Sequence, residues 1–266
     1  MTFILDCEIK AHQEVAPDHR RLVLRAEPIA AAAAPGQFCM LAVHEGLYPF
    51  LRRPMSIERI YKDGVSILYK VVGRGTRLLA HLQPGTNINV QGPLGNCFPL
   101  PRDYDRYLMV AGGVGIAPFP GLAEAILQQL GRTPELVLAA RNDRNLLMVK
   151  EFTRMGCPVH IATDDGSAGM KGFASDALRA LEPDEKTLVY CCGPTPMMAA
   201  VHAVCMEHNV TCFASLEAEM ACGDGVCMGC VVETTAEEEA RRMARVCHEG
   251  PIFDTRTIKW NGGTKS

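Results

Sequence analysis

The chain has 266 residues, 48% of them hydrophobic, which suits two modest domains with sizeable cores plus an appendage. A net charge of −3 gives no electrostatic reason to expect nucleic acid or an anionic membrane as partner, and no apolar run reaches transmembrane length. Met1–Lys10 carries Asp6 and Glu8 without a basic segment, so no export signal is expected there, and twelve cysteines then argue for a reducing, cytoplasmic compartment rather than a disulfide framework.

Residues 1–102 read as β-rich. Short strands are expected at Glu8–Val15, Arg20–Glu27, Phe38–Val43, Ser56–Arg59, Val65–Val72 and Asn87–Gln91, separated by Gly, Pro and polar turns, the pattern of a small antiparallel barrel. A helix is expected at Thr76–Leu82, ended by Pro84-Gly85. Two places stand out. In Leu51-Arg52-Arg53-Pro54-Met55-Ser56-Ile57 an arginine can fork onto a phosphate, and a serine three residues on can reach a ring heteroatom on the same side. In Gly73-Arg74-Gly75-Thr76 the glycines let a phosphate approach, and the following helix offers free N–H donors. Each alone fits a solvated turn. Together they describe two phosphate contacts in one β domain, which is what a dinucleotide cofactor needs.

Residues 103–218 alternate strand and helix. Strands are expected at Tyr107–Ala111, Glu135–Ala140, Val159–Thr163, Leu188–Cys192 and Cys212–Leu216. Helices fall between them: one carrying Leu122, Ile126 and Leu130, one near Arg144–Met155, then Phe173–Leu181 and Thr195–His208. That alternation means a doubly wound parallel sheet, which binds ligands at the carboxyl ends of its strands. Gly112-Gly113-Val114-Gly115-Ile116-Ala117-Pro118 lies at one such end, and Cys192-Gly193-Pro194 at a second that can face the same crevice. Gly112, Gly113 and Gly115 permit a pyrophosphate to approach a helix start, although proline stands where the usual dinucleotide fingerprint has its later glycine. Asp164-Asp165-Gly166 ends a third strand; its carboxylates fit ribose hydroxyls or a solvated turn equally well.

Residues 219–266 contain Cys222-Gly-Asp-Gly-Val-Cys227-Met-Gly-Cys230, with Cys247 following. Four residues and then two separate the first three cysteines, the plant-type [2Fe–2S] spacing. A two-iron core needs four thiolates, so a short glycine-rich loop must wrap it closely. Zinc knuckles usually show two C-x2-C-like pairs, and only one is present. The remaining eight cysteines read as small packing residues. Val231–Glu233 is expected as a strand, Thr234–Arg245 as a short exposed helix or a solvated stretch, and the cluster as the core of the segment.

In this order the motifs resemble those of the ferredoxin-NADP reductase superfamily: R-P-x-S, G-x-G-T, A-G-G-x-G-x-x-P and C-G-P. The cysteine loop, with V-C-x-x-G-P-x-F after it, resembles more specifically the electron-transfer subunits of dihydroorotate dehydrogenase B, over essentially the whole chain. The resemblance implies FAD in the barrel, NAD at the parallel sheet and a [2Fe–2S] cluster near the tail. It assigns Arg53, Pro54, Met55 and Ser56 to the first FAD motif and Leu68, Tyr69 and Lys70 to the strand passing the flavin. Gly75 and Thr76 match the pyrophosphate loop, and Cys222, Cys227, Cys230 and Cys247 the cluster ligands. Gly112, Gly113, Gly115, Cys192, Gly193 and Pro194 fall to NAD. One departure is visible: 16 residues separate Cys230 from Cys247, more than expected for the family.

The resemblance further implies a partner, an FMN-containing TIM-barrel subunit oxidising dihydroorotate in pyrimidine biosynthesis, in a heterotetramer of two plus two. Electrons would leave to NAD+ through this chain, with no acid–base pair of its own. Two other readings stand beside it. One is a reductase subunit serving a hydrogenase or a glutamate-synthase-like complex. The other is a flavin-free metal-binding interaction protein that kept the fold, against which the R-P-M-S and G-R-G-T motifs argue together.

Overall fold

The computed structural model describes residues 1–44, 46, 48–238 and 242–260. Six strands close into an antiparallel barrel: β1 (Phe3–Ala16), β2 (His19–Arg25), β3 (Phe38–Ala42), β4 (Arg53–Ile60), β5 (Gly64–Lys70) and β6 (Asn87–Leu94), in the order β1-β2-β5-β4-β3-β6. Period-two burial builds it: in β2, Leu22 and Leu24 point inward while Arg21 and Arg25 do not. β1 is longer than the sequence indicated because it serves two neighbours. Its first half pairs with β6 and its second with β2, with an irregularity between Ile9 and Ala11.

The expected strand Arg20–Glu27 stops at Arg25, and helix α1 (Glu27–Ala32) follows with Pro28 in its first turn. Sequence reading missed α1. Six residues are too few for a helical period to show, and only Ile29 and Ala30 are buried. Helix α2 (Arg74–His81) lies between β5 and β6.

The second unit is a seven-stranded sheet. β7 (Arg106–Gly112) leads through a 3-10 turn at Gly113–Ile116 into α3 (Phe119–Ala125). Pro118 precedes that helix rather than opening it, and a π turn carries the chain on to Leu130, where Gly131 at φ 64° stops it. β8 (Glu135–Ala140) follows. The helix expected near Arg144–Met155 is shorter, a 3-10 turn at Asp143–Asn145 and then α4 (Val149–Arg154). Next come β9 (Val159–Thr163), a short β10 (Met170–Lys171) not foreseen, α5 (Ala174–Ala180), β11 (Thr187–Cys192), α6 (Thr195–Glu207) and β12 (Thr211–Ser215). Adjacent strands from β10 to β12 run parallel in the order β10-β9-β8-β7-β11-β12. No helix among the described residues is long and apolar enough to cross a membrane.

The tail departs most from expectation. β13 (Val231–Glu233) pairs antiparallel with β14 (Met243–Arg245), so the end of Thr234–Arg245, read as a short exposed helix or a solvated stretch, is a strand instead; residues 239–241 lie outside the described ones. Thr234 instead forms a bridge to Ile258. β15 (Ile252–Asp254) then adds antiparallel to β12 as the sheet's seventh strand. Cys230, Val246, Cys247 and Phe253 belong to the same apolar cluster as Phe38 and Met40 of the barrel and Val189 of the sheet. The tail therefore shares the main core instead of relying on a core of its own, which a segment this small cannot bury.

Ion pairs clamp the barrel to the sheet unit. Arg21 of β2 holds the fully buried Glu58 of β4 and also Glu151 of α4, the latter at 2.9 Å. Arg59 reaches Glu124 of α3 at 3.3 Å and Glu151 at 3.4 Å.

Candidate functional site

Two cavities flank the carboxyl ends of β7 and β11. The first, about 360 Å3, lies between the barrel and the sheet, with Pro54, Met55, Ser56, Leu68, Lys70 and Thr76 on its barrel side. The two phosphate motifs converge beside it. A side chain at Gly75 would collide with the Arg53 guanidinium, so the open face of α2's first turn and the arginine fork occupy one place. The first N–H groups of α2 have no partner inside the helix, as at any helix start. A cationic fork over free N–H donors is a donor set that fits a pyrophosphate.

The other side chains of these motifs have structural work. Arg52 donates to the Asn89 carbonyl at 3.1 Å and also to its side-chain oxygen, so it braces β6, whereas Arg53 Nη1 donates to the Leu51 carbonyl while its Nε and Nη2 lie over Gly75. The Thr76 hydroxyl accepts from the Val72 and Gly73 N–H groups at 2.9 and 3.0 Å, so it shapes the loop. Tyr69 borders the cavity, but its ring lies in the barrel core with its hydroxyl 2.9 Å from His12 Nε2. Burial raises that phenol well above its ordinary value.

The second cavity, about 650 Å3, opens over the sheet between the Gly112–Gly115 turn and the Gly193-Pro194 turn. The glycines there serve two purposes. Gly112, Gly115 and Gly193 are packing glycines: a Cβ on Gly115 would press on the Cys192 main chain, one on Gly112 on Met197, and one on Gly193 on Gly112. Only Gly113, at φ 56° with nothing near where its Cβ would stand, presents bare backbone. Cys192 was expected on this side but borders the first cavity, where burial pushes its thiol far above the ordinary value. Of the two aspartates ending β9, Asp164 lines the cavity, while Asp165 accepts from Ser167 N and Oγ and closes the turn.

Lys70, Val114 and Glu217 border both cavities. They mark the junction where groups held in the two would meet. Sequence reading passed over Glu217, although an acid directly after the buried run Ala214-Ser215-Leu216 at a strand's carboxyl end was the available signal. Desolvation raises the Glu217 carboxyl above its usual value.

The four tail cysteines gather as two pairs. Cys227 N donates toward Cys222 Sγ at 3.4 Å, and Cys247 N toward Cys230 Sγ at the same distance. Backbone groups of Cys222 and Gly229 point at the Cys227 sulfur and pull its thiol down to about 7. Burial, with Cys230 beside it, pushes Cys247 up to about 12. Among the described residues no three His, Cys, Asp or Glu side chains converge on one ion. Two thiol pairs suit a two-iron core, in which each iron takes two thiolates. Gly223 and Gly225 lie at φ 78° and 89°, and a Cβ on Gly223 would strike Met40 of β3. The loop is thus seated on the barrel, next to the first cavity. Of the eight other cysteines, only Cys97 is exposed.

Comparison with known proteins falls on the same features. Residues 109–203 match the oxidoreductase NAD-binding domain, and residues 217–259 match the iron-sulfur cluster binding domain of dihydroorotate dehydrogenase B. A dihydroorotate dehydrogenase B (NAD(+)) electron transfer subunit from Desulforamulus reducens is 35% identical over 98% of this chain and 100% of its own. The protein of that name from Shouchella clausii is 37% identical over 90% of this chain and 92% of its own. Among solved structures, a chain of the NADH-dependent reduced ferredoxin-NADP oxidoreductase, studied for flavin-based electron bifurcation, superposes with a TM-score of 0.84. It is 31% identical and covers 96% of this chain and 90% of that one.

Proposed function

The chain belongs to the family of dihydroorotate dehydrogenase B electron-transfer subunits, and on that footing we propose that it links dihydroorotate oxidation in a partner catalytic subunit to NAD+. It is an NAD-linked oxidoreductase subunit and works with a catalytic partner. The partner is an FMN-containing subunit, the assembly is two plus two, and the compartment is the cytoplasm.

FAD occupies the barrel cavity, NAD the sheet cavity, and a [2Fe–2S] cluster the four tail cysteines. When bound, the cluster supplies one-electron transfer, and the flavin supplies the exchange between single electrons and a hydride. The chain's own residues bind and orient. Arg53 and the first N–H groups of α2 hold the FAD pyrophosphate, with Pro54, Met55, Ser56, Leu68 and Lys70 along the flavin. Gly113 lets the NAD pyrophosphate approach the turn after β7. Cys222, Cys227, Cys230 and Cys247 would hold the cluster, each thiol pair suiting one of its two irons. Lys70, Val114 and Glu217 line the junction where the two bound rings would meet.

One observation carries the reading: two cavities share a wall at Lys70, Val114 and Glu217, and the four-cysteine loop is seated on the barrel beside them. Anaerobic purification with iron, sulfide and flavin analysis tests it. About two irons and one FAD per chain are expected; zinc in place of iron, or no flavin, overturns it.

The likeness to the ferredoxin-NADP oxidoreductase chain supports a second reading, a reductase subunit of another redox complex. Co-purification separates the two. An FMN protein that reduces NAD+ with dihydroorotate when recombined supports the first, and a ferredoxin-linked flavoprotein supports the second.

A further inference from the structure

Arg245 is where the two cysteine-bearing segments are tied together. Its Nη1 donates to the Gly225 carbonyl, inside the Cys222–Cys230 loop, at 2.7 Å. Its Nε donates to Glu249 at 3.0 Å, and Nη2 takes the second carboxylate oxygen. Its main-chain N–H donates to Glu249 Oε2 at 2.7 Å. Its carbonyl accepts from the N–H groups of His248, Glu249 and Gly250 at 3.1, 3.0 and 3.3 Å. The turn that presents Cys247 is therefore closed on Arg245 from both ends, while the same side chain grips the other ligand loop. Neighbouring Val246 N donates to the Cys230 carbonyl at 2.9 Å, and Gly225 packs against His248.

We propose that Arg245 is a positioning residue for the iron–sulfur cluster, and that its charge pair with Glu249 sets the cluster's reduction potential. This rests on the cluster reading above. The positional part follows from reach: without the fork the loop keeps its ties to the Cys247 turn at Cys230 but loses the one at the Gly225 carbonyl, so the Cys222–Cys227 end is held less firmly against that turn. The electrostatic part follows from sign. A [2Fe–2S] core with four thiolates gains one negative charge when one electron enters, and no bond breaks. A nearby guanidinium favours the reduced form and a nearby carboxylate disfavours it. A lysine keeps the charge but cannot make the fork.

The test compares the full chain with Arg245→Lys, Arg245→Gln, Glu249→Gln and the double Arg245→Gln/Glu249→Gln variant, all purified anaerobically. The readouts are iron and sulfide content, the midpoint potential from titration followed by electron paramagnetic resonance, and the rate of iron loss to a chelator. Arg245→Gln is expected to shift the midpoint to more negative potential and to lose iron several-fold faster. Arg245→Lys should hold the midpoint but lose iron faster, and Glu249→Gln should shift it to more positive potential. The double variant should return toward the wild-type midpoint while still losing iron fast. Wild-type midpoint and iron retention in Arg245→Gln would overturn the proposal. If Arg245→Gln binds no cluster, Glu249→Gln decides, since an unchanged midpoint there removes the electrostatic part and wild-type iron loss in Arg245→Lys the positional part. A wild-type chain without iron defeats the cluster reading itself and is distinguishable from all of these.

Discussion

The Arg53 guanidinium lies over Gly75 on the face where a side chain would stand. Twenty-two positions apart in sequence, the two would make one anion cradle from an arginine fork and the bare first turn of α2. Because a fork over free N–H donors acts only if the phosphate can enter between them, residue 75 must have no Cβ.

Gly75→Ala therefore separates binding from folding. Alanine is the better helix former by about 1 kcal/mol, so thermal stability should hold or rise. The displaced arginine should lose a charge-assisted contact, weakening FAD by roughly 10- to 100-fold. Flavin fluorescence titration measures this; an FAD affinity equal to wild type would show that the two residues do not share a phosphate.

Gly113 and Gly115 make a second contrast within one turn. Gly113→Ala meets only open space but sits at φ 56°, a left-handed strain of about 1–2 kcal/mol. Gly115→Ala would press on the Cys192 main chain, which has nowhere to retreat, and should cost more, about 3 kcal/mol. Gly113→Ala should weaken NADH in a folded protein, whereas Gly115→Ala should lower stability first. Urea denaturation with NADH titration checks the order, and the reverse order would contradict the split between packing and ligand-facing glycines.

The barrel and the parallel sheet were legible because their signals are local: alternation in strands such as Leu22 and Leu24, buried runs such as Tyr107–Ala111, and glycine or proline at their ends. The candidate cysteine set was legible because spacing alone singles it out. What sequence could not show depends on distant partners. β1 is long because β6 extends it. β14 and β15 are three-residue strands that exist only against β13 and β12. At the site, the motif singled out Arg53, but only the structure shows why Arg52 differs: it is held by Asn89 of the barrel wall, whereas the Arg53 guanidinium lies over Gly75. Glu217 gains its place from two cavities built by other segments.

Buried cysteines that line neither cavity should be dispensable for the cofactors. Cys205 is fully buried with its thiol against Cys212, which in turn donates to Cys191 Sγ at 3.8 Å. Cys205→Ser buries a hydroxyl in that apolar site and should cost about 1–3 kcal/mol with iron and flavin unchanged. Cys227→Ser should do the opposite, losing the cluster while FAD stays. Metal and flavin analysis of the pair decides it: iron lost from Cys205→Ser would overturn the ligand assignment.

The clamp between barrel and sheet should respond unequally to its two acids. Glu58 is fully buried and takes both ends of the Arg21 fork, while Glu151 is 27% exposed. Glu58→Ala leaves a half-buried arginine short of its main partner and should cost about 3–5 kcal/mol. Glu151→Ala should cost about 1 kcal/mol, near the value for a partly exposed pair. Chemical denaturation measures both, and equal costs would mean that burial does not set the energetics of this clamp.

Glu135 provides a pH signature far from either cavity. It opens β8, and there it accepts from Arg106 Nη2 of β7 at 2.9 Å and lies 2.8 Å from His160 Nε2 of β9. These are the amino ends of the strands, opposite the binding crevice. The Arg106 hydrogen bond, more than His160, holds the carboxyl below its ordinary 4.5, against desolvation that raises it. A carboxylate depressed in the folded state stabilises fully above its unfolded value. The contribution disappears as pH falls through the lower folded value. Glu135→Gln should thus cost about 1–3 kcal/mol near neutral pH, with cofactor content unchanged. The gap from wild type should shrink as pH drops below about 4. Urea denaturation across that range checks it; a gap that widens toward acid would mean that the carboxyl is not depressed by this arginine.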